Sequence, residues 1–171
     1  VTNQGNFIER SIANVARSVL YGGALAVLVL LFFLRNLRST IVISLAIPIS
    51  VVGTFAVVYF LGFTINILTL LALVLAIGLV VDDAIVMLEN IHRHVEHGMD
   101  AVEAAFKGSR EIGFAVLAMT FTLAAVFAPM AVATGRTGKL FTEFALTLAG
   151  AVIVSGFVAL TLSPMMASKL L

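Results

Sequence analysis

The stretch from Asn66 to Asn90 constrains the chain most. It is an apolar run long enough to cross a bilayer, with the adjacent acids Asp82 and Asp83 set inside it. A charged carboxylate near the middle of a spanning helix costs roughly 2.5–3.5 kcal/mol on insertion scales. A helix of this composition needs neither acid in order to fold. Two acids at that depth therefore point to function, in the first place to an ion or proton relay.

At about 100° per residue, Ala72, Ala76, Asp83 and Asn90 share one row of this helix, and Gly78, Asp82 and Glu89 share the next. Leu70, Val74, Ile77, Val81, Ile85 and Leu88 fall opposite. One side is small and polar, the other large and aliphatic. Small residues admit close helix neighbours and acids avoid lipid, so the first side is expected to face the bundle interior, with Gly78 and Ala76 supporting packing. On this reading both acids share one small, low-dielectric region. The aliphatic side is expected to face lipid or a helix neighbour rich in large residues.

The chain has 171 residues, 61% of them hydrophobic and 11% charged. A soluble domain carries roughly a quarter charged residues, so this is an integral membrane protein. A net charge of +1 gives no reason to expect a nucleic-acid partner, and the absence of cysteine removes disulfides and thiolate metal sites. The chain begins Val1-Thr-Asn-Gln, without an initiator Met or a basic leader, and reads as a piece of a longer polypeptide.

The run lengths predict one all-α domain over residues 1–171, a polytopic bundle with spans at about 15–34, 41–62, 67–90, 112–133 and 140–166. The first helix starts outside the bilayer, with Ile8, Ile12, Val15 and Val19 at helical spacing. Pro48 predicts a kink in the second span. Asp100 with Glu103 is a capping pattern, so a short interfacial helix is expected at about 100–107, ended by Gly108-Ser109. Residues 134–139 read as a glycine-punctuated loop. Arg35, Arg38, Arg93, Lys107, Arg110 and Lys169 fall on one side, and Arg10, Arg17, Arg136 and Lys139 on the other. The positive-inside rule makes the first side cytoplasmic.

All ten Lys and Arg lie in loops or at span ends. Asp82 and Asp83 must then bind protons, water or a metal ion, or meet a cation from another segment. Glu89, Asn90 and Glu143 read as wet helix ends. His92, His94 and His97 project at irregular angles without supporting acids or cysteines, which favours a solvated segment over a metal site. Thr120 and Thr122 are expected to bond back to their own helix.

The segment Gly78-Leu-Val-Val-Asp-Asp-Ala-Ile-Val-Met-Leu-Glu-Asn90 resembles the fourth transmembrane helix of resistance–nodulation–division (RND) efflux pumps, closest to the AcrB-type multidrug branch. Phe33–Thr40, Ala46–Ser50, Gly62–Asn66, Phe141–Phe144 and Leu162–Pro164 follow in family order. The resemblance implies transmembrane helices two to six of the first half of a proton/drug antiporter of the bacterial inner membrane that exports amphiphilic compounds, a transporter and not an enzyme. It gives Asp82 and Asp83 the proton relay, with protons as coupling ion and no further cofactor or metal. It implies as partners a second-half bundle bearing an intramembrane lysine, periplasmic domains, a homotrimer, a periplasmic adaptor and an outer-membrane channel. The second acid, Asp83, favours drugs over metal ions. Two other readings stay open: a structural bundle whose acids fix packing or assembly, and an RND-fold machine for protein export, lipid or metal transport.

Overall fold

The computed structural model describes residues 4–132 and 134–171. It is an all-α bundle: α1 Gln4–Leu34, α2 Leu37–Phe60, α3 Ile67–Glu96, α4 Ala101–Phe127, a short 3₁₀ turn Ala128–Val132, and α5 Gly135–Leu170. Among the described residues, four helices are long and apolar enough to span a membrane: α2, α3, α4 with its 3₁₀ extension, and α5. The expected first span lies in α1, where the apolar stretch Leu20–Phe32 is shorter. The side chains of Ile8, Ile12, Val15 and Val19 lie outside the described residues.

Side-chain caps set the starts of three helices. Asn36 Oδ1 accepts from the backbone of Arg38 at 3.0 Å, so α2 begins at Leu37, ahead of the span expected at about 41–62. Asn66 opens α3 with a reciprocal box: its Oδ1 accepts from Leu68 and Thr69, and Thr69 Oγ1 accepts from the Asn66 N–H at 2.8 Å. Asp100 caps α4 by accepting from the Val102 N–H.

The separate interfacial helix at 100–107 is not found. Residues 101–127 form one continuous helix through Gly108-Ser109. Gly108 is there for contact: a Cβ on it would lie 2.9 Å from Ile91 Cγ1 and 3.1 Å from Ile91 Cα, so α4 lies directly on the backbone of α3. The loop expected at 134–139 is also mostly helix, since α5 starts at Gly135. The break falls earlier, where Pro129, lacking an N–H, sits in the 3₁₀ turn. Pro48 and Pro164 lie inside α2 and α5 without ending them.

Helix α5 is the hub. Gly150 meets Val57 of α2, Ser155 meets Asp83 of α3, and Gly156 meets Thr120 of α4. The aliphatic face of α3 packs on protein: Ile77, Val81 and Leu88 join Val42, Ile43, Ala46 and Ile47 of α2 in the main core. The outer surface carries exposed apolar side chains such as Phe60, Phe114 and Phe157, suited to lipid. Thr120 and Thr122 donate to the carbonyls of Val116 and Ala118 in their own helix.

The sidedness has a direct test, because the chain contains no cysteine. Single cysteines at His97 and Thr137, two exposed positions on opposite ends of the bundle, are expected to label differently from outside intact cells. Residue 137 should react and residue 97 should not. The reverse pattern inverts the orientation.

Candidate functional site

The two acids are consecutive on α3, so the helix turns them about 100° apart, and the structure sends them to different neighbours. Asp83 is buried, 7% exposed, on the α5 side. Ser155 Oγ donates to its Oδ2 at 2.8 Å. Asp82 is exposed. It borders an open groove of about 340 Å³ lined also by Ser18, Gly22, Gly23 and Ala26 of α1 and by Gly78 of α3. The expectation that both acids share one interior region is therefore corrected: one row turns inward, the next outward. The packing roles separate in the same way. Ala76 is buried with Ala72 against Leu148 and Ala151 of α5, whereas nothing lies within 4 Å of where a Cβ on Gly78 would sit.

Among the described residues, no Lys or Arg forms an ion pair with either acid. A buried carboxylate held by a single hydroxyl, beside a second carboxylate open to the surface of the bundle, can take up and release protons. It can also meet a cation brought by another segment.

A third acid belongs to the interior. Glu143 was expected to be a wet span end, but it is 6% exposed. Its Oε2 accepts from Thr64 Oγ1 at 2.9 Å and from Asn66 Nδ2 at 2.8 Å. Asn66 thus caps α3 with its oxygen and ties α5 to the α2–α3 turn with its nitrogen. No local pattern reveals this, since the partners are 79 and 77 residues away.

The other end of α3 is also stitched. Asn90 Nδ2 donates to the Gly108 carbonyl at 2.9 Å and to Glu111 Oε2 at 3.3 Å, and Arg93 donates to Asn90 Oδ1. Asn90 is therefore a tie to α4 at a helix end that stays half-exposed. Glu89 is exposed, as expected. The three histidines take separate partners: His94 pairs with Glu111 at 2.8 Å, His97 with the Arg93 carbonyl, and His92 with Glu96.

The sequence profile of the AcrB/AcrD/AcrF family matches residues 1–171, the whole chain. The chain belongs to this family. Its relatives include the multidrug resistance protein MdtC of Pectobacterium atrosepticum, 49% identical over 96% of this chain, and MdtC of Escherichia coli, 48% identical over the same share. A protein named as an uncharacterized transporter in Haemophilus influenzae is 53% identical, again over 96% of this chain. The chain spans about 16% of the length of each of these relatives. AcrB-type membership agrees with the signature around Asp82 and Asp83, and the all-α bundle is the membrane portion that those residues imply.

Proposed function

We propose that this chain is the proton-handling membrane bundle of an AcrB-type antiporter that exports amphiphilic drugs across the bacterial inner membrane. The observation that carries the reading is the divided acid pair: Asp83 buried on Ser155, and Asp82 on the open side of the same helix. Asp83 and Asp82 alternately bind and release protons, the coupling ion. The groove beside Asp82 leaves room for a lysine from a second-half bundle, which offsets one of the two negative charges when both acids are ionised. The drug pockets, the homotrimer contacts and the docking of a periplasmic adaptor and outer-membrane channel belong to periplasmic domains outside this chain. The likeness to proteins named for multidrug resistance supports drugs as substrates over metal ions, lipids or exported proteins.

The test is energetic. The full-length transporter is reconstituted in proteoliposomes, with Nile red as the probe and an imposed pH gradient as the only driving force. Dye movement should follow the gradient and stop when a protonophore collapses it. Movement that is indifferent to the gradient removes the antiporter reading.

A further inference from the structure

On α5, Glu143, Thr147, Ala151 and Ser155 recur every four residues and form one ridge, which winds from the α2–α3 turn toward the middle of the bundle. All four are buried. The ridge begins on the Glu143 carboxylate, held by Thr64 and Asn66, and ends on the Ser155 hydroxyl that donates to Asp83. The facing side of α3 offers Thr69, Ala72 and Ala76, all buried, before it reaches Asp83.

Thr147 makes the ridge more than a packing seam. It is 1% exposed, and its Oγ1 is buried without a hydrogen-bond partner. Most threonines in this chain's helices satisfy that hydroxyl by bonding back to their own helix, as Thr54, Thr120, Thr122 and Thr161 do. Thr147 instead borders a small space of about 10 Å³ in which Thr69 is the other polar lining residue and Phe55, Val58, Ile65, Leu70 and Leu73 are apolar. That is close to the smallest space that holds one water, and a buried hydroxyl left unpartnered is costly. Between Thr147 and Ser155 the seam is closed by Ala72, Ala76 and Ala151, with Leu79 against them.

We propose that Glu143 is the loading acid at the mouth of a proton route that follows this ridge, through Thr147 and Ser155, to Asp83. The route is shut in the present conformation by the alanine layer, and water completes it when α3 and α5 part. The proposal rests on the reading of Asp83 as a proton carrier. A proton taken up on Glu143 from the aqueous side passes along water to Asp83, and Glu143 is left ionised again, so the transfer is balanced. At this end of the bundle the side chains that face Glu143 from the α2–α3 turn, Thr64 and Asn66, are uncharged. The charged residues nearest in sequence are Arg136 and Lys139, at the start of α5.

Three variants of the full-length transporter decide it, in proteoliposomes with an entrapped pH dye and Nile red as the exported probe. Glu143→Gln keeps an oxygen for Thr64 and Asn66 but cannot carry a proton. Thr147→Val keeps the shape of the side chain and removes the unpartnered hydroxyl. Each is expected to slow proton uptake by about tenfold, less than the roughly 10²–10⁴-fold of a directly acting acid or base. Glu143→Gln should also flatten the dependence on pH at the α2–α3-turn side. A purely structural Thr147 predicts the opposite, an equal or higher thermal stability with unchanged transport. Asp83→Asn is the reference. If it is inactive while either of the other two variants keeps the wild-type rate and pH profile, the route is overturned. If Asp83→Asn itself retains proton-driven export, the relay reading falls first. Should Glu143→Gln fail to fold, Thr147→Val decides the route by itself.

Discussion

Asp83→Asn in the full-length transporter is expected to abolish export driven by a proton gradient, a loss of at least roughly 100-fold, while insertion and assembly stay near normal. The variant is close to isosteric. Its side-chain oxygen still accepts from Ser155, so the α3–α5 contact survives and only the titrating group is lost. Asp82→Asn should give the same transport defect for a different reason, because Asp82 lies on the open groove and not on α5. Export assays, with membrane abundance and oligomer size measured alongside, check both. Wild-type export in both variants would sink the relay. Normal export combined with poor assembly would instead make the acids packing devices, the structural reading raised by the sequence.

Gly108→Leu is expected to break the packing of α4 on α3. Even a first carbon at this position meets Ile91 at 2.9 Å from Cγ1 and 3.1 Å from Cα, and a backbone atom cannot rotate away. Overpacking of this kind typically costs about 1–3 kcal/mol, occasionally more. The displacement would also pull the Gly108 carbonyl off Asn90 Nδ2. Thermal unfolding of the detergent-solubilised protein should show a clear drop in Tm. Gly113→Ala is the control on the same helix, where a Cβ would make an ordinary contact of 3.6 Å with Leu160. Equal stability in the two variants would show that the close approach at Gly108 is dispensable.

Much of the fold can be read from local pattern. Apolar run lengths mark the helices, and Asp100 marks the start of α4. Bonds made within one helix are equally legible, as Thr120 and Thr122 show. What stays hidden depends on how each helix is rotated against the next. The wheel placed Asp82 and Asp83 on adjacent rows but could not say that the bundle ends between those rows. Only the position of α5 separates them, through a serine 72 residues away. Glu143 differs from its expected solvation for the same reason: a polar residue at a span end looks solvated until its distant partner is known. Gly108 shows a related ambiguity. A glycine that stops a helix and a glycine that lets another helix touch it are the same letter, and Ile91 decides between them.

The two ties between α3 and α5 have a mechanical consequence. These helices run side by side in the same direction, held at the top by Glu143 on Asn66 and Thr64 and lower down by Ser155 on Asp83. A rod pinned at two heights can only translate with its partner. A rod pinned at one height can swing. Adding a proton to Asp83 removes the charge that the Ser155 hydroxyl points at and weakens the lower pin, while Asn66, already locked by its cap on α3, remains as the pivot. On the proposed proton-carrying role of Asp83, chemistry on one carboxylate would tilt α3 against α5 about the upper tie, working against the Ala72, Ala76 and Ala151 layer and toward the end where Asn90 bonds α4.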